Sequence, residues 1–239
     1  MGAFFVFSCI CPKNVVPLHH NLNHNIMGTQ IQSLLNLDEI IKKDNDNKVL
    51  DLKSLAESIM NEVCIFNGQY TYYPIEIEFY IYDKKNHADI HVYPREAKAG
   101  DLFFHLSGMD ICFESSFEEK NGTIRFGGIL IRALEREDGK RFGGPLTCVN
   151  EVLNTATEHP HTIYFEHSIR TKPIVINLGK RKGINKYEKK KDDYWDAKYR
   201  FIREGITNSI EREDETFDFG NAQVSAKKIK RKRYYKIED

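Results

Sequence analysis

The sequence lacks the features that mark a disulfide-linked or zinc-bound protein. Its five cysteines are odd in number and scattered, and they form no Cys-x-x-Cys pair. Paired cysteines are the usual basis of a disulfide framework or a zinc knuckle, so the spacing excludes both and favours a reducing compartment. We predict a cytoplasmic protein that carries no metal and needs no cofactor.

The sequence also lacks an apolar run long enough to cross a bilayer. The apolar stretch at residues 3–11 is far shorter than the roughly 20 residues required. No basic residue precedes it, as one would in a signal peptide. Residues 13–26 are rich in Asn and His and show no periodicity. We therefore expect no membrane partner. We also expect either that residues 1–27 are a disordered or non-native lead-in or that Met27 is the true start.

Neither sign of charge is in excess over the whole chain, since 35 Lys and Arg balance 35 Asp and Glu. The distribution is uneven, because residues 179–239 hold 18 Lys and Arg against 12 Asp and Glu and the preceding part is acidic. A hydrophobic content of 41% is typical of a globular protein. We predict one monomeric domain at residues 28–210, followed by a polar, basic tail at residues 211–239.

Residues 75–82 alternate apolar and polar side chains, which is typical of a half-buried β-strand. The polar face carries two carboxylates two residues apart, although charges on a solvated sheet face usually alternate in sign. Two interpretations stay open: a solvated edge strand, or a special environment for one glutamate. The apolar face is formed by Ile75, Ile77, Phe79 and Ile81, and the polar face by Glu76, Glu78, Tyr80 and Tyr82.

Elsewhere the patterns predict mostly strands, hairpin turns and few helices. Asp51 is expected to cap a helix of about 12 residues, and a second helix is expected from about Leu146 to Asn154. Asn67-Gly68 and Ser107-Gly108 are expected to form hairpin turns. Together these patterns predict an α+β fold: a single domain with a curved, mostly antiparallel sheet and a few peripheral helices.

The strand predicted at residues 124–134 has two unusual features. Gly127 and Gly128 lie inside it, and glycines in a strand indicate a bulge or the close approach of another group. Arg132 is the one charged residue in the apolar run 129–134, where an arginine is seldom left unpaired. One interpretation is that Arg132 forms a structural ion pair with Glu78.

Taken in order, several short motifs resemble those of the alkyladenine (3-methyladenine) DNA glycosylases, and most closely a divergent bacterial branch of that family. The resemblance covers roughly residues 50–205, and the joint order of the motifs is more specific than any one of them. The motifs are Glu76-Ile77-Glu78-Phe79-Tyr80, the loop with His87 and His91, Ala99-Gly100-Asp101-Leu102-Phe103-Phe104, Ser107-Gly108-Met109, Leu130-Ile131-Arg132-Ala133-Leu134-Glu135, Gly144-Pro145, Arg181-Lys182-Gly183-Ile184 and Tyr199-Arg200-Phe201.

This resemblance implies a methylpurine DNA glycosylase-like fold and excision of a modified purine in base excision repair. Such an enzyme flips the base out of the stack and hydrolyses its N-glycosidic bond through an oxocarbenium-like state. The resemblance also implies that Glu78 activates the water and that Arg132 holds either the Glu78 carboxylate or the water. The implied base-binding residues are Tyr80, Phe104, His87, His91 and His105, and the supporting residues are Glu76 and Asp110.

Two positions depart from the family pattern. Ser107 stands where the family has a tyrosine that wedges into the duplex, and a serine cannot fill that gap by stacking. Glu114 aligns near a family asparagine that helps to select the base. The resemblance therefore implies glycosidic chemistry more strongly than double-stranded DNA, and a damaged or single-stranded DNA partner is also compatible with it.

Two further hypotheses come from other classes of function. The first is a catalytically silent nucleic-acid-binding or interaction module on the same fold, which would use the basic segment from Lys227 onward to neutralise phosphates. The second is a metal-dependent hydrolase built on imidazole and carboxylate ligands. Its candidate ligands are His87, Asp89, His91 and His105.

Overall fold

The structure is a computed structural model that describes residue 35 and residues 40–118, 122–156, 163–184, 194–207 and 236–237. The predicted lead-in at residues 1–27 and the basic segment 227–233 lie outside these residues. Within them the chain forms two helices and thirteen strands. They are α1 (Asn45–Glu62), β1 (Val63–Phe66), β2 (Thr71–Asp83), β3 (His87–Ala88), β4 (Leu102–His105), β5 (Gly108–Cys112), β6 (Ser116–Glu118), β7 (Thr123–Arg136), β8 (Arg141–Gly143), α2 (Pro145–Asn154), β9 (Tyr164–His167), β10 (Ile176–Gly179), β11 (Arg200–Arg203), β12 (Ile206–Thr207) and β13 (Lys236–Ile237).

Eleven of these strands form one curled antiparallel sheet, which confirms the predicted α+β class. The continuous path through the sheet is β10-β11-β2-β7-β5-β4, and β1, β3, β6, β8 and β9 pair at its sides. β12 and β13 form a separate two-stranded sheet. The predicted strand at residues 75–82 lies in β2, which pairs with β7 on one side and with β11 on the other. The interpretation of that stretch as a solvated edge strand is therefore wrong.

The apolar face of β2 packs into the main core through Ile77, Phe79 and Ile81. Ile75 does not join them, although the alternation predicts that it should. The pairing of β2 with β7 shifts between Pro74 and Ile77, and such an irregularity changes which way a strand residue points. Ile75 packs in a second, smaller cluster with Ala133, Ile202 and Ile206.

Helix α1 covers the core with the face that the sequence predicts, including Leu52, Leu55 and Ile59. Its start is earlier than predicted, because Asp44 and not Asp51 is the N-cap. The Asp44 carboxylate accepts a hydrogen bond from the backbone N–H of Asn47 at 3.0 Å, which satisfies a donor that the first helical turn leaves free. The Asp44-Asn45-Asp46-Asn47 segment therefore begins the helix.

Two glycines of the sheet permit close backbone contacts. A Cβ added at Gly127 of β7 would lie 2.3 Å from the carbonyl oxygen of Tyr80, so the predicted close approach is confirmed. A Cβ added at Gly108 would lie 2.7 Å from the Cβ of Pro145 at the start of α2. Gly108 belongs to β5, and the turn residues of the β4–β5 hairpin are Leu106 and Ser107, one position earlier than predicted.

Neither described helix combines the length and the apolar character that crossing a bilayer requires.

Candidate functional site

The centre of the sheet carries a row of aligned side chains on the face opposite the main core. Asp110 of β5 pairs with Leu130 of β7, Leu130 pairs with Glu78 of β2, and Glu78 pairs with Arg200 of β11. Directly paired residues of antiparallel strands point to the same face. Two acidic residues and one basic residue from three strands therefore lie on one face of the sheet, with Leu130 of a fourth strand between the two carboxylates.

Glu78 lies at the middle of this row and is fully buried. Its Oε1 accepts a hydrogen bond from the backbone N–H of Lys182 at 2.6 Å. Its Oε2 accepts from Tyr80 Oη at 3.0 Å and from Arg132 Nη1 at 3.2 Å. A buried carboxylate needs such donors because it has lost its hydration. The two oxygens of Glu78 are thus fixed by two side chains and one loop amide.

Glu76 is a second buried carboxylate beside Glu78, and arginines bind it from two strands. Its Oε1 accepts from Arg132 Nε at 2.9 Å and from Arg200 Nε at 2.6 Å. The same Arg132 guanidinium therefore bridges the two glutamates. This confirms that Arg132 is paired, and it explains how two carboxylates can lie two residues apart on one buried strand.

The environment shifts the pKa values of the groups around Glu78. Burial is the main cause that raises the pKa of Glu78, and the Arg132 charge and the Lys182 amide offset part of that shift. Burial together with the Glu78 charge raises the pKa of Tyr80, so the phenol stays a donor. Burial lowers the pKa of Lys182. A carboxylate with a raised pKa at the centre of a donor network is typical of a site that transfers protons.

Arg181 extends the polar cluster from Tyr80 towards the edge of the sheet. Its guanidinium lies 4.7 Å from the centre of the Tyr80 ring and donates from Nη1 to Asp89 Oδ2 at 2.5 Å. Nη2 donates to the carbonyl oxygen of Tyr194 at 2.6 Å. The side chain is fully buried, so it fixes the Tyr80 ring against the loop that follows β10.

His87 is buried beyond Arg181, and its hydrogen-bond and ring contacts are with Lys48, Tyr194 and Tyr199. Its Nδ1 lies 3.1 Å from Lys48 Nζ of α1, and its ring packs on Tyr194 with the centroids 3.8 Å apart. Burial and the nearby Lys48 and Arg181 charges lower the pKa of His87 to about 3. The described contacts of His87 thus point to a packed, neutral imidazole. His91, the other loop histidine, donates its backbone N–H to Asp89 Oδ1 at 3.0 Å.

Phe104, which the resemblance implies is a base-binding residue, does not share the sheet face of Glu78. Phe103, not Phe104, pairs with Asp110 and therefore shares the face of Glu78. Phe104 pairs with Met109, and it points to the opposite face because successive strand residues alternate. The ring on the Glu78 face is Phe103, and the Arg95 guanidinium lies 4.4 Å from its centre.

A second polar centre lies on the same face at the β4–β5 hairpin. His105 Nε2 lies 3.1 Å from Asp110 Oδ1, and Asp110 Oδ2 is bound by Arg95 Nη1. Asp110 and Arg95 are both buried. The Ser107 backbone N–H donates to His105 Nδ1 at 3.2 Å. His105, implied as a base-binding residue, and Asp110, implied as a supporting residue, are therefore directly connected.

The four residues of the metal-dependent hypothesis do not converge. The carboxylate of Asp89 binds Arg181, His87 faces Lys48, and His105 faces Asp110. The described residues contain no group of three or more His, Cys, Asp or Glu side chains arranged to hold a metal ion.

Three groups complete the polar networks around Glu78 and Asp110, and the sequence predicts no role for any of them. Arg200 lies in the Tyr199-Arg200-Phe201 motif, and the alternation of that short strand could have placed it opposite the core residue Phe201. Arg95 lies in a loop, where no periodicity marks its direction. Lys182 donates its backbone N–H to Glu78. A pattern of side chains in the sequence cannot reveal a backbone donor.

Comparisons of this chain with protein-family models, with curated proteins and with solved structures found no match.

Proposed function

We propose that this protein is an N-glycosidic hydrolase that excises a modified purine from DNA, on a fold of the methylpurine DNA glycosylase type. The observation that carries the proposal is the environment of Glu78. Its carboxylate is buried, has a raised pKa, and is held by Tyr80, Arg132 and a loop amide. The ordered motif series from Glu76 to Phe201 supports the same family of reactions.

Glu78 has the properties that glycosidic hydrolysis needs in a general base. Cleavage of the C1′–N bond places positive charge on the sugar, and a fixed carboxylate nearby stabilises that charge. The same carboxylate accepts the proton of the attacking water, for which a pKa raised towards neutrality is favourable. Arg132 keeps the carboxylate oriented, and its side chain is 14% exposed. Its Nη1 also donates to the carbonyl oxygen of the exposed Lys182 at 3.3 Å, so the network reaches solvent on this side.

Tyr80 provides both a hydrogen-bond donor and an aromatic ring beside Glu78. Its hydroxyl donates to Glu78 Oε2, and its ring is held by Arg181. An aromatic ring beside the catalytic carboxylate is suited to contact with a flipped base, because base–aromatic stacking contributes about 1–3 kcal/mol. In this proposal the substrate is a base flipped out of damaged or single-stranded DNA.

The satisfied hydrogen bonds of Glu78 favour a second candidate function. Both carboxylate oxygens already accept bonds from protein donors, as in a structural ion pair that only stabilises the sheet. On this account the protein is a catalytically silent nucleic-acid-binding or interaction module. It would bind nucleic acid in a salt-sensitive manner through its basic C-terminal residues.

Single-turnover excision assays separate the two candidates. The substrates are duplex and single-stranded oligonucleotides that carry one alkylated, deaminated or oxidised purine. We expect the parent protein to excise at least one of these bases and Glu78→Gln to lose about 10²- to 10⁴-fold in rate, the usual contribution of a general base.

The matched control is Glu135→Gln. Glu135 is also bound by arginines, namely Arg141, Arg170 and Arg203, but outside the proposed site. Its variant should lose stability and keep its excision rate. Full activity of Glu78→Gln would disprove the role of Glu78. A parent that binds the oligonucleotides and excises no base would favour the silent module.

A further inference from the structure

Three aromatic side chains form a stack across β2, β7 and β6, and we call them the ring platform: Tyr82, Phe126 and Phe117. The ring centroids of Tyr82 and Phe126 lie 4.6 Å apart with their planes inclined by 10°. Those of Phe126 and Phe117 lie 6.1 Å apart with their planes inclined by 14°. The middle ring, Phe126, is buried, whereas the outer ring, Phe117, is 47% exposed. The stack therefore ends in an aromatic ring that is open to solvent.

The ring platform lies on the face of the sheet that carries Glu78. Tyr82 follows Glu78 by four residues in β2, and side chains two or four residues apart in a strand share a face. Tyr82 pairs with Phe126, and Phe117 pairs with Ile124, which is two residues before Phe126 in β7. At about 3.4 Å per residue, the platform begins about 14 Å from Glu78 along β2.

Exposed cations lie beside the ring platform. Lys84 and Lys85 follow β2 directly, and both are exposed. A Cβ added at Gly122 would lie 3.5 Å from Lys85 Cε, which places the Lys85 side chain beside the turn between β6 and β7. The nearby carboxylate of Asp83 is bound by Arg125 Nε at 3.2 Å. The charge of Asp83 is thus already compensated within the sheet.

An exposed ring with neighbouring lysines has the chemistry that binds single-stranded nucleic acid. Bases stack on aromatic side chains because every base has a π-face, and cations follow the phosphate backbone. The bases of a duplex already stack on their neighbours, so an open ring such as Phe117 favours unpaired bases. Glu118, the acidic neighbour of Phe117 in β6, points to the other face of the sheet because successive strand residues alternate.

We propose that the ring platform binds the bases that flank the excised base, and that the substrate of this protein is single-stranded DNA. The proposal rests on the hydrolase function proposed above and adds the class of DNA to it. The target base lies at Glu78, and the strand continues along the face of β2 towards Phe117. Lys84 and Lys85 neutralise phosphates of the same strand.

Equilibrium binding tests the ring platform without requiring excision. Fluorescence anisotropy of a labelled, undamaged oligonucleotide, alone and annealed to its complement, gives the two dissociation constants. We expect the parent to bind the single strand more tightly than the duplex. Phe117→Ala should weaken single-strand binding about 5- to 150-fold, the usual range for one stacked base. Its binding to the duplex should change less than about threefold, because paired bases do not use the ring.

Three further variants make the binding test specific. Phe117→Leu keeps an apolar side chain on β6 without a ring, and it should weaken single-strand binding in the same way as Phe117→Ala. Phe117→Tyr keeps the ring and should bind within about threefold of the parent. Leu153→Ala is the matched control, because Leu153 is also 47% exposed but lies on α2. It should bind both oligonucleotides as the parent does.

The salt dependence of binding tests the two lysines. Each phosphate neutralised on a single strand contributes about 0.7 to the slope of log K against log salt concentration. The double variant Lys84→Gln, Lys85→Gln should therefore lower the magnitude of the slope by about 1.4. Lys53→Gln, an exposed change on α1, should leave the slope as it is. An unchanged slope in the double variant would overturn the path of the strand past the end of β2.

The outcomes distinguish this proposal from the proposed function. Single-strand binding that is unaffected by Phe117→Ala and Phe117→Leu, or tighter binding of the duplex by the parent, would overturn the ring platform. The hydrolase function would still stand in that case if Glu78→Gln loses excision. A parent that binds single strands through Phe117 and excises no base would support the ring platform and overturn the hydrolase function.

Discussion

Arg132 donates a hydrogen bond from Nη1 to Oε2 of Glu78 at 3.2 Å, between the two long central strands of the sheet. Its Nε binds Glu76 at the same time. A single guanidinium therefore opposes two buried carboxylates, and the planar group suits this because its donors are fixed in a fork. The stability of the central strands and the state of Glu78 both depend on this one side chain.

Replacing Arg132 by Met should destabilise the fold by about 3 kcal/mol, because two buried carboxylates lose a shared cation. Urea denaturation followed by circular dichroism measures this change. Lys53→Met is the control, since Lys53 pairs with Glu57 on the surface of α1 and surface pairs contribute little. An Arg132 variant as stable as the control would show that Glu76 and Glu78 do not need Arg132.

Replacing Tyr80 by Phe should raise the pKa of Glu78 further and slow excision by about tenfold or more. The reason is the loss of a hydrogen bond to the carboxylate, which is worth about 1.5–3 kcal/mol for a charged acceptor. Carbon NMR of labelled glutamate gives the pKa, and single-turnover kinetics gives the rate. Tyr82→Phe, whose ring stacks on Phe126 further along β2, should change neither quantity.

The raised pKa of Glu78 predicts how stability depends on pH. A group whose folded pKa lies above its ordinary value of 4.5 stabilises the fold fully below that value, and this contribution is lost as pH rises through the folded pKa. The unfolding free energy of the parent minus that of Glu78→Gln should therefore fall as pH increases from about 4.5. Denaturation curves between acid and neutral pH give this difference. A difference that increases with pH would mean that Arg132, and not burial, dominates.

The lowered pKa of His87 predicts the opposite trend, in which the free energy of unfolding falls as the pH decreases. Its pKa falls from 6.5 to about 3 on folding. Its contribution is thus present above 6.5 and is lost as pH falls towards 3, with a slope of up to about 1.4 kcal/mol per pH unit. His87→Gln should flatten the acid side of the stability curve. Ile41→Val, a core change without a titratable group, should lower stability equally at every pH, and an unflattened curve for His87→Gln would contradict a buried neutral imidazole.

Gly127→Ala should destabilise the fold by about 3 kcal/mol or more, because the added Cβ would lie 2.3 Å from the Tyr80 carbonyl oxygen and force β2 and β7 apart. Gly139→Ala is the matched control. Gly139 has a φ of +84° and no neighbour within 4 Å of an added Cβ, so only backbone strain of about 1 kcal/mol is expected. Thermal unfolding of the two variants compares the cost of a steric clash at position 127 with the cost of backbone strain at position 139.

The sequence predicts the parts of the site that depend on periodicity. The alternation at residues 75–82 gives the face of Glu76 and Glu78, and a lone arginine in an apolar strand predicts that Arg132 is paired. The glycine pair predicts a close strand contact. These predictions succeed because each depends on the local geometry of one strand.

The predictions that fail concern choices between similar local patterns. Phe103 and Phe104 are adjacent aromatics, and only the pairing of β4 with β5 decides which of them shares the face of Glu78. Asp44 and Asp51 both have the chemistry of an N-cap, and the structure uses the earlier one. The irregular pairing near Pro74 redirects Ile75 in a way that simple alternation does not anticipate.

The Lys182 amide and the Arg200 guanidinium have a consequence for engineering. They reach Glu78 and Glu76 from chain positions more than one hundred residues away. A design that transplants only the β2–β7 pair into another scaffold would move the two carboxylates without the loop amide and without one of the two arginines. The smallest portable unit of this site therefore extends from Glu76 to Arg200, and shorter grafts should fail to hold Glu78 in its native ionisation state.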